Sequence, residues 1–214
     1  MRFAYFMIEH LPTRIETLRN TELSHHPLVV LRPWDSHVLD ASPSAVDARV
    51  GAGDSLQLVE QLCPQATIIS ADESLYQVTH TAAEVSLDNF AGPVEVRGLG
   101  EFIVEISSQL SIFSTETDLT DQLLTQVQSA TQLTPAIGIA RNKFAAAQAS
   151  RQAMIKTDRV LIVPNGKEKD FLAPLPLSTL THAPNEMLRR LCLFGITTLG
   201  GFARLHKADV VPNS

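Results

Sequence analysis

The stretch PAIGIARNKFAAAQASRQAMI, residues 135–155, carries two different periods back to back. Residues 135–140 are a short, mostly apolar run of strand length. Residues 142–155 are rich in alanine, which loses no side-chain entropy in a helix. A second apolar run, 160–163, follows. Strand, helix and strand in succession predict an α+β domain in which helices cover a sheet.

The same reading extends toward the N-terminus. Residues 2–8 predict a strand, 13–20 a helix, and 28–31 with 37–41 two short strands around a turn at Pro33, Asp35 and Ser36. Asp54 is placed to cap a helix over 56–62, whose Leu56, Val59 and Leu62 share one face before Pro64 stops it. Residues 67–70 read as a strand, 71–89 as a long helix, and 94–97 with 102–107 as a strand pair around Gly98, Leu99 and Gly100. Residues 118–129 are amphipathic through Leu119, Leu123, Leu124 and Val127. From Gly166 onward only short helices are predicted, which puts a domain boundary at 164–166. There is no internal repeat.

The chain has 214 residues, 44% hydrophobic and 19% charged, with a mean hydropathy of +0.06. Those values exclude disorder, collagen and coiled coil as descriptions of the whole. No apolar run reaches the ~18 residues that span a bilayer. The opening MRFAYFMIEHLP places Glu9 and His10 where a secretory leader needs an unbroken apolar stretch, so a cytoplasmic location is expected. Cys63 and Cys192 are far apart without a CxxC pair, which argues against a disulfide scaffold or a zinc site; both are expected to be buried, inert thiols. Trp34, the only tryptophan, sits beside Pro33 as a packing anchor. Gly51-Ala52-Gly53 and Gly98-Leu99-Gly100 lack the spacing and the Lys-Ser/Thr of phosphate loops and read as turns. The histidines at 10, 25, 26, 37, 80, 182 and 206 form no i, i+4 pair and predict no ligand or base.

The net charge of −6 conceals a split near residue 140. Residues 1–139 hold six arginines, no lysine and 18 acidic groups, a net of −12, whereas residues 140–214 hold 11 basic and 5 acidic groups, a net of +6. The basic third suits a polyanion; lysines on solvated helices are the alternative.

On this frame several segments, in collinear order over residues 1–205, resemble the Y-family (UmuC-type) DNA polymerases. GIARNKFAAAQAS (138–150) is similar to that family's palm helix, G-I-[GA]-x-N-K-x-x-A-x-x-A-S. FLAPLPLSTL (171–180) resembles its entry to the thumb, and LCLFGITTLGGFARL (191–205) its helix-hairpin-helix. The segment 38–66 resembles the fingers that end in A-x-x-x-C-P, with Val59 in place of the alanine. VEVRGLGEFIVEIS (94–107) is similar to the hairpin that reads V-E-x-x-S-x-D-E-x-x-x-D in active members. The resemblance implies a palm with inserted fingers (about 28–75) over residues 1–165 and a small helical thumb over 166–214.

A polymerase of this kind joins nucleotides through two magnesium ions bridged by carboxylates. Aligning IETL (15–18) with the family's V-E-x-L puts Met7 at the first metal-binding aspartate, with Glu9 at a frequent second one. The hairpin puts Gly100 at the other aspartate and leaves Glu101 beside it. A thioether and a bare backbone are poor ligands for a hard cation. Leu11 and Pro12 replace the aromatic pair that screens the sugar, and Pro43 and Val46 stand where Tyr and Arg grip the triphosphate. Such a stripped scaffold resembles the ImuB-type proteins of bacterial mutagenesis cassettes, as does the opening FAYFMIEHLP.

That resemblance implies no catalytic residue, with Glu9 and Glu101 as solvated remnants, and no cofactor. It implies a cytoplasmic, nucleoid-associated protein that binds DNA and works with a sliding clamp, a RecA-like accessory protein and an error-prone C-family polymerase. The alternatives are an active translesion polymerase using Mg2+ through atypical ligands, or a truncated scaffold remnant. The chain stops at Ser214, just after the thumb, so the little finger is expected to be absent, and no Q-x-x-[LM]-x-[LF]-F-like clamp peptide is visible.

The helix-hairpin-helix is the remaining functional signal. A helix over 185–194 is expected to end at Gly195 in the left-handed conformation, Ile196 to plug between the helices, and Thr197 or Thr198 to cap a second helix beginning near Gly200. Its free N–H groups, with Arg189, Arg190, Arg204 and Lys207 around them, predict contacts to DNA phosphates rather than to bases.

Overall fold

Strand and helix of the 135–155 stretch form as predicted, and their contact organises the molecule. A computed structural model describes residues 1–181 and 183–205. In chain order its elements are β1 (Phe3–Met7), α1 (Leu11–Arg19), β2 (Leu28–Leu31), β3 (Val38–Ala41), α2 (Pro43–Asp47), α3 (Leu56–Leu62), β4 (Thr67–Ser70), α4 (Glu73–Ala91), β5 (Val94–Gly98), β6 (Glu101–Glu105), α5 (Glu116–Thr131), β7 (Ala136–Ala140), α6 (Lys143–Ala153), β8 (Val160–Ile162), α7 (Glu168–Leu172), α8 (Asn185–Leu193) and α9 (Leu199–Phe202). Asn142 starts α6 by accepting the Ala145 N–H at 2.8 Å through its side chain. Gly138 lets α6 lie directly on β7: a Cβ there would stand 2.1 Å from the Ala146 carbonyl oxygen and the Ser150 nitrogen.

The main sheet runs β5-β6-β1-β7-β8, with β1 antiparallel to both neighbours and β8 parallel to β7. The two-residue period of β1 supplies two cores. Ala4, Phe6 and Ile8 join the cluster under α4 and α5, with Leu87, Phe102, Leu123 and Ile137. Tyr5 and Met7 join the opposite cluster under α6, with Ile103, Ala145, Ala146 and Ala149. A separate small sheet, β3-β2-β4, packs Val29 and Val38 against α2 and α3, whose Ala45, Val59 and C-capping Cys63 complete that core. Beyond β8, the segment 173–176 lines up against α9, with Leu199 N on Leu175 O at 2.8 Å and Gly200 N on Ala173 O at 2.9 Å.

Several local expectations change. Ser55, not Asp54, caps α3, accepting the Leu58 N–H at 3.3 Å; Asp54 instead accepts the Gly51 N–H at 2.8 Å and so closes the turn before it. Cys192 is exposed, because α8 turns that face outward. Trp34 is 66% exposed and anchors nothing, since its turn projects from the small sheet. The long helix begins at Glu73 under an Asp72 cap and runs to Ala91. Helix α2 and the 3-10 turn Thr21–His25 had no clear sequence period. His182, His206 and Lys207 lie outside the described residues.

Candidate functional site

The sheet register brings together the two positions that align with the family's metal-binding aspartates. Met7, the last residue of β1, pairs with Glu101, the first of β6, and Ile8 N donates to Gly100 O at 2.9 Å. Met7 is buried in the α6-side core. Gly100 adopts φ +76°, and a Cβ there would meet Ile8 O at 2.9 Å and Leu11 Cδ1 at 3.2 Å, so a side chain at this tight strand crossing would be strained and would make its neighbours shift. The Gly100 N–H donates to His80 Nδ1 at 3.0 Å. This fixes His80 as the Nε2–H tautomer, stacked on Phe102 at 4.7 Å; burial holds its pKa below the ordinary imidazole value.

A recess of about 340 Å³ opens at this corner, lined by Met7, Glu9, His10, Asp40, Leu99 and Glu101 among others. Glu9 and Glu101 therefore do share one wall. Tyr5 donates its hydroxyl to Glu101, and burial with that carboxylate pushes the phenol above its usual range. Asp40, on β3, accepts from Thr13 N at 3.0 Å and Thr13 Oγ1 at 2.9 Å and contacts His10 Nδ1 at 3.0 Å. It thereby caps α1 across the gap between the two sheets, where His10, at φ 50°, makes no side-chain cap of its own. The Asp40 hydrogen bond, followed by the charges of Asp40 and Glu9, raises the His10 pKa against its burial and the opposing charge of Arg14. Leu11 and Pro12 are buried in α1, while Pro43 and Val46 lie on the exposed side of α2 and present neither phenol nor guanidinium.

Magnesium prefers an octahedron of hard oxygens. A thioether at 7 and a glycine at 100 supply none from their side chains. Among the described residues no three His, Cys, Asp or Glu side chains group as a cation would need. The donor set at this corner does not match a pair of magnesium ions.

A second opening, about 810 Å³, lies between α6, the β5–β6 hairpin and the C-terminal helices, with Tyr5, Arg97, Lys143, Phe144, Arg151 and Phe202 in its wall. Glu95 binds Arg97 at 2.8 Å and also pairs with Lys143. Gln148, 3% exposed, lines the same opening with its Nε2 unpartnered. Sequence reading missed Gln148, Asp40 and His80, since a glutamine in an alanine helix and a cap acceptor from another strand leave no local pattern.

In the C-terminal hairpin, Gly195 closes α8 at φ +75°, and Ile196 N returns to Leu191 O at 3.0 Å. Thr198 caps α9, its Oγ1 accepting the Gly201 N–H at 3.1 Å. Thr197 O accepts from Leu177 N at 2.9 Å. The free amides expected at the start of the second helix are taken: Leu199, Gly200 and Gly201 N–H groups all have partners within the chain. Arg189, Arg190 and Arg204 remain exposed, with no ion pair among the described residues.

The α+β sheet with helices on both faces is that of a Y-family polymerase-like palm. Residues 8–151 match the model of the impB/mucB/samB family, and the chain belongs to that family. It is 31% identical over 192 residues to a protein named DNA polymerase IV 2 from Mesorhizobium japonicum, covering 90% of this chain and 45% of that protein. It is 29% identical over 199 residues to DNA polymerase IV of Stenotrophomonas maltophilia, covering 92% and 54%. The chain thus spans about half the length of the curated relatives it matches. Its fold matches that of DinB from Sulfolobus solfataricus with a TM-score of 0.87 at 20% identity, covering 98% of this chain and 62% of that one. An insertion ternary complex of Dbh DNA polymerase gives 0.86 at 19%, covering 98% and 62%. No helix among the described residues is long and apolar enough to cross a membrane.

Proposed function

We propose that the chain is a non-catalytic, ImuB-type, DNA-binding accessory of error-prone translesion synthesis. The observation that carries this reading is the corner where β1 meets β6: Met7 and Gly100 occupy both aspartate positions, and a Cβ at 100 would press to 2.9 Å from Ile8 O. In this reading residues 1–165 are palm with fingers, residues 166–214 are thumb, and DNA phosphates meet the side chains of Arg189, Arg190 and Arg204, with Gly195, Ile196, Thr197, Thr198 and Gly200 shaping the hairpin. Lys207 belongs to the same basic group by sequence. A sliding clamp, a RecA-like accessory protein and an error-prone C-family polymerase are the protein partners of this reading, and the DNA synthesis is the polymerase's.

A second reading, an active translesion polymerase with atypical ligands, draws support from the relatives' name and from Glu9, Asp40 and Glu101 sharing one recess. Primer extension with each nucleotide and either Mg2+ or Mn2+ separates the two. The accessory reading expects no extension. Template-directed extension that disappears in Glu101→Ala establishes the polymerase instead.

A further inference from the structure

Arg14, on α1, and Arg159, just ahead of β8, line neither the recess nor the larger opening. The Arg159 carbonyl accepts from Ile137 N at 2.8 Å, which seats its backbone beside β7, and Arg14 Nη1 donates to Thr134 O at 3.1 Å, at the approach to that same strand. Arg159 takes the left-handed backbone at φ 53°. Its Nη1 reaches Met154 O at 3.5 Å, a long contact, while Nε and Nη2 are buried with no hydrogen-bond partner. Among the described residues no carboxylate forms an ion pair with either guanidinium, although Asp158 adjoins Arg159 in sequence; Asp158 faces Lys156 at 3.7 Å instead. The two cations sense each other: burial and then the charge of Arg159 lower the Arg14 pKa, opposed by Glu9.

We propose that Arg14 and Arg159 form a receptor for a phosphate-type oxyanion, the group carried by inorganic phosphate, by a nucleotide's phosphate chain and by a nucleic-acid backbone. A desolvated guanidinium with two orphaned donors is costly, and a second cation nearby adds repulsion. One anion between the two relieves both. The Nε and Nη2 of Arg159 form a planar fork that binds two oxygens side by side. A carboxylate has only those two oxygens, whereas a tetrahedral oxyanion retains others for the free edge of Arg14. Both arginines are half-buried as residues, while Nε and Nη2 of Arg159 are closed to solvent, so an anion reaches that fork as the Arg159 side chain shifts outward.

The test uses the full chain, 15N-labelled, followed through its arginine Nε–Hε resonances at constant ionic strength. Titration with inorganic phosphate is expected to move two resonances saturably, those missing from the spectra of Arg14→Gln and Arg159→Gln. Each variant should bind phosphate roughly tenfold to a hundredfold more weakly, the effect of a charge-assisted hydrogen bond. Parallel titrations with a metal-free nucleoside triphosphate and with a duplex oligonucleotide identify the source. Movement of the pair by phosphate or nucleotide supports a small-molecule site. Movement by the oligonucleotide, reversed by phosphate, supports a backbone site. No movement with any of the three, or equal binding by both variants, overturns the proposal. The unsubstituted protein's spectrum decides the matter even where a variant fails to fold.

Discussion

At the scale of single residues, Gly100, whose N–H is held by His80, sets the cost of placing a carboxylate at this corner. Introducing Gly100→Asp forces a side chain into positive φ and against Ile8 O, so it should cost about 1–3 kcal/mol, read as a lower urea midpoint with unchanged slope. Met7→Asp with Gly100→Asp should still give no primer extension, because Pro43 and Val46 grip no triphosphate; measurable rescue by the pair would show those two positions to be dispensable. The two histidines of this corner predict opposite pH responses. His80 must be neutral to accept the Gly100 N–H, and its folded pKa is lowered, so its contribution is full above ~6.5 and is lost as pH falls from there toward its folded value. His10 has a raised folded pKa, so its contribution is full below ~6.5 and is lost as pH rises through the folded value. Histidine NMR titrations should place the two on opposite sides of ~6.5, and coincident curves would remove the basis for both slopes.

At the scale of elements, the β7–α6 contact is the least forgiving part of the fold. Gly138→Ala drives a methyl group into the backbone of α6 at 2.1 Å, and no flexible side chain can yield there. That variant should be unfolded or lose at least ~3 kcal/mol in chemical denaturation, whereas Asn142→Ala should lose about 1 kcal/mol, the worth of one helix cap. This unit was legible in the sequence because its signals are local: an apolar run, an asparagine at the cap, alanines beyond it. Thr198, the cap of α9, was legible in the same way, whereas the cap of α1 and the carbonyls that take the first amides of α9 were not. Asp40 serves Thr13 from 27 residues away, and the Leu175 and Ala173 carbonyls serve α9 from an earlier segment, pairings that tertiary approach alone creates. Likewise Met7 and Gly100 could be flagged by alignment, but the strain that a side chain would meet at 100 follows only from the strand crossing.

At the scale of the whole molecule, the charge split becomes a statement about DNA. If exposed Arg189, Arg190 and Arg204 meet phosphates, binding should be independent of sequence, in the range of ~10⁻⁴ to 10⁻⁶ M, and fall steeply with salt as counterions are released. Substituting all three by alanine should flatten the plot of log affinity against log salt by roughly 0.9 for each phosphate no longer neutralised, in fluorescence anisotropy with single-stranded and primed DNA. An unchanged slope would leave the hairpin a structural element only.

The position of β1 carries a consequence for biosynthesis. FAYFM precedes the other strands of its sheet in the sequence, yet its partners on either side are residues 101–105 and 136–140. Until residues 101–105 are translated, a nascent chain bears a wholly apolar strand with both edges unpaired, and until residues 136–140 follow one edge stays open, a segment for which chaperones compete. The central strand of the sheet is paired on both sides only long after it is made, so folding waits on long-range closure.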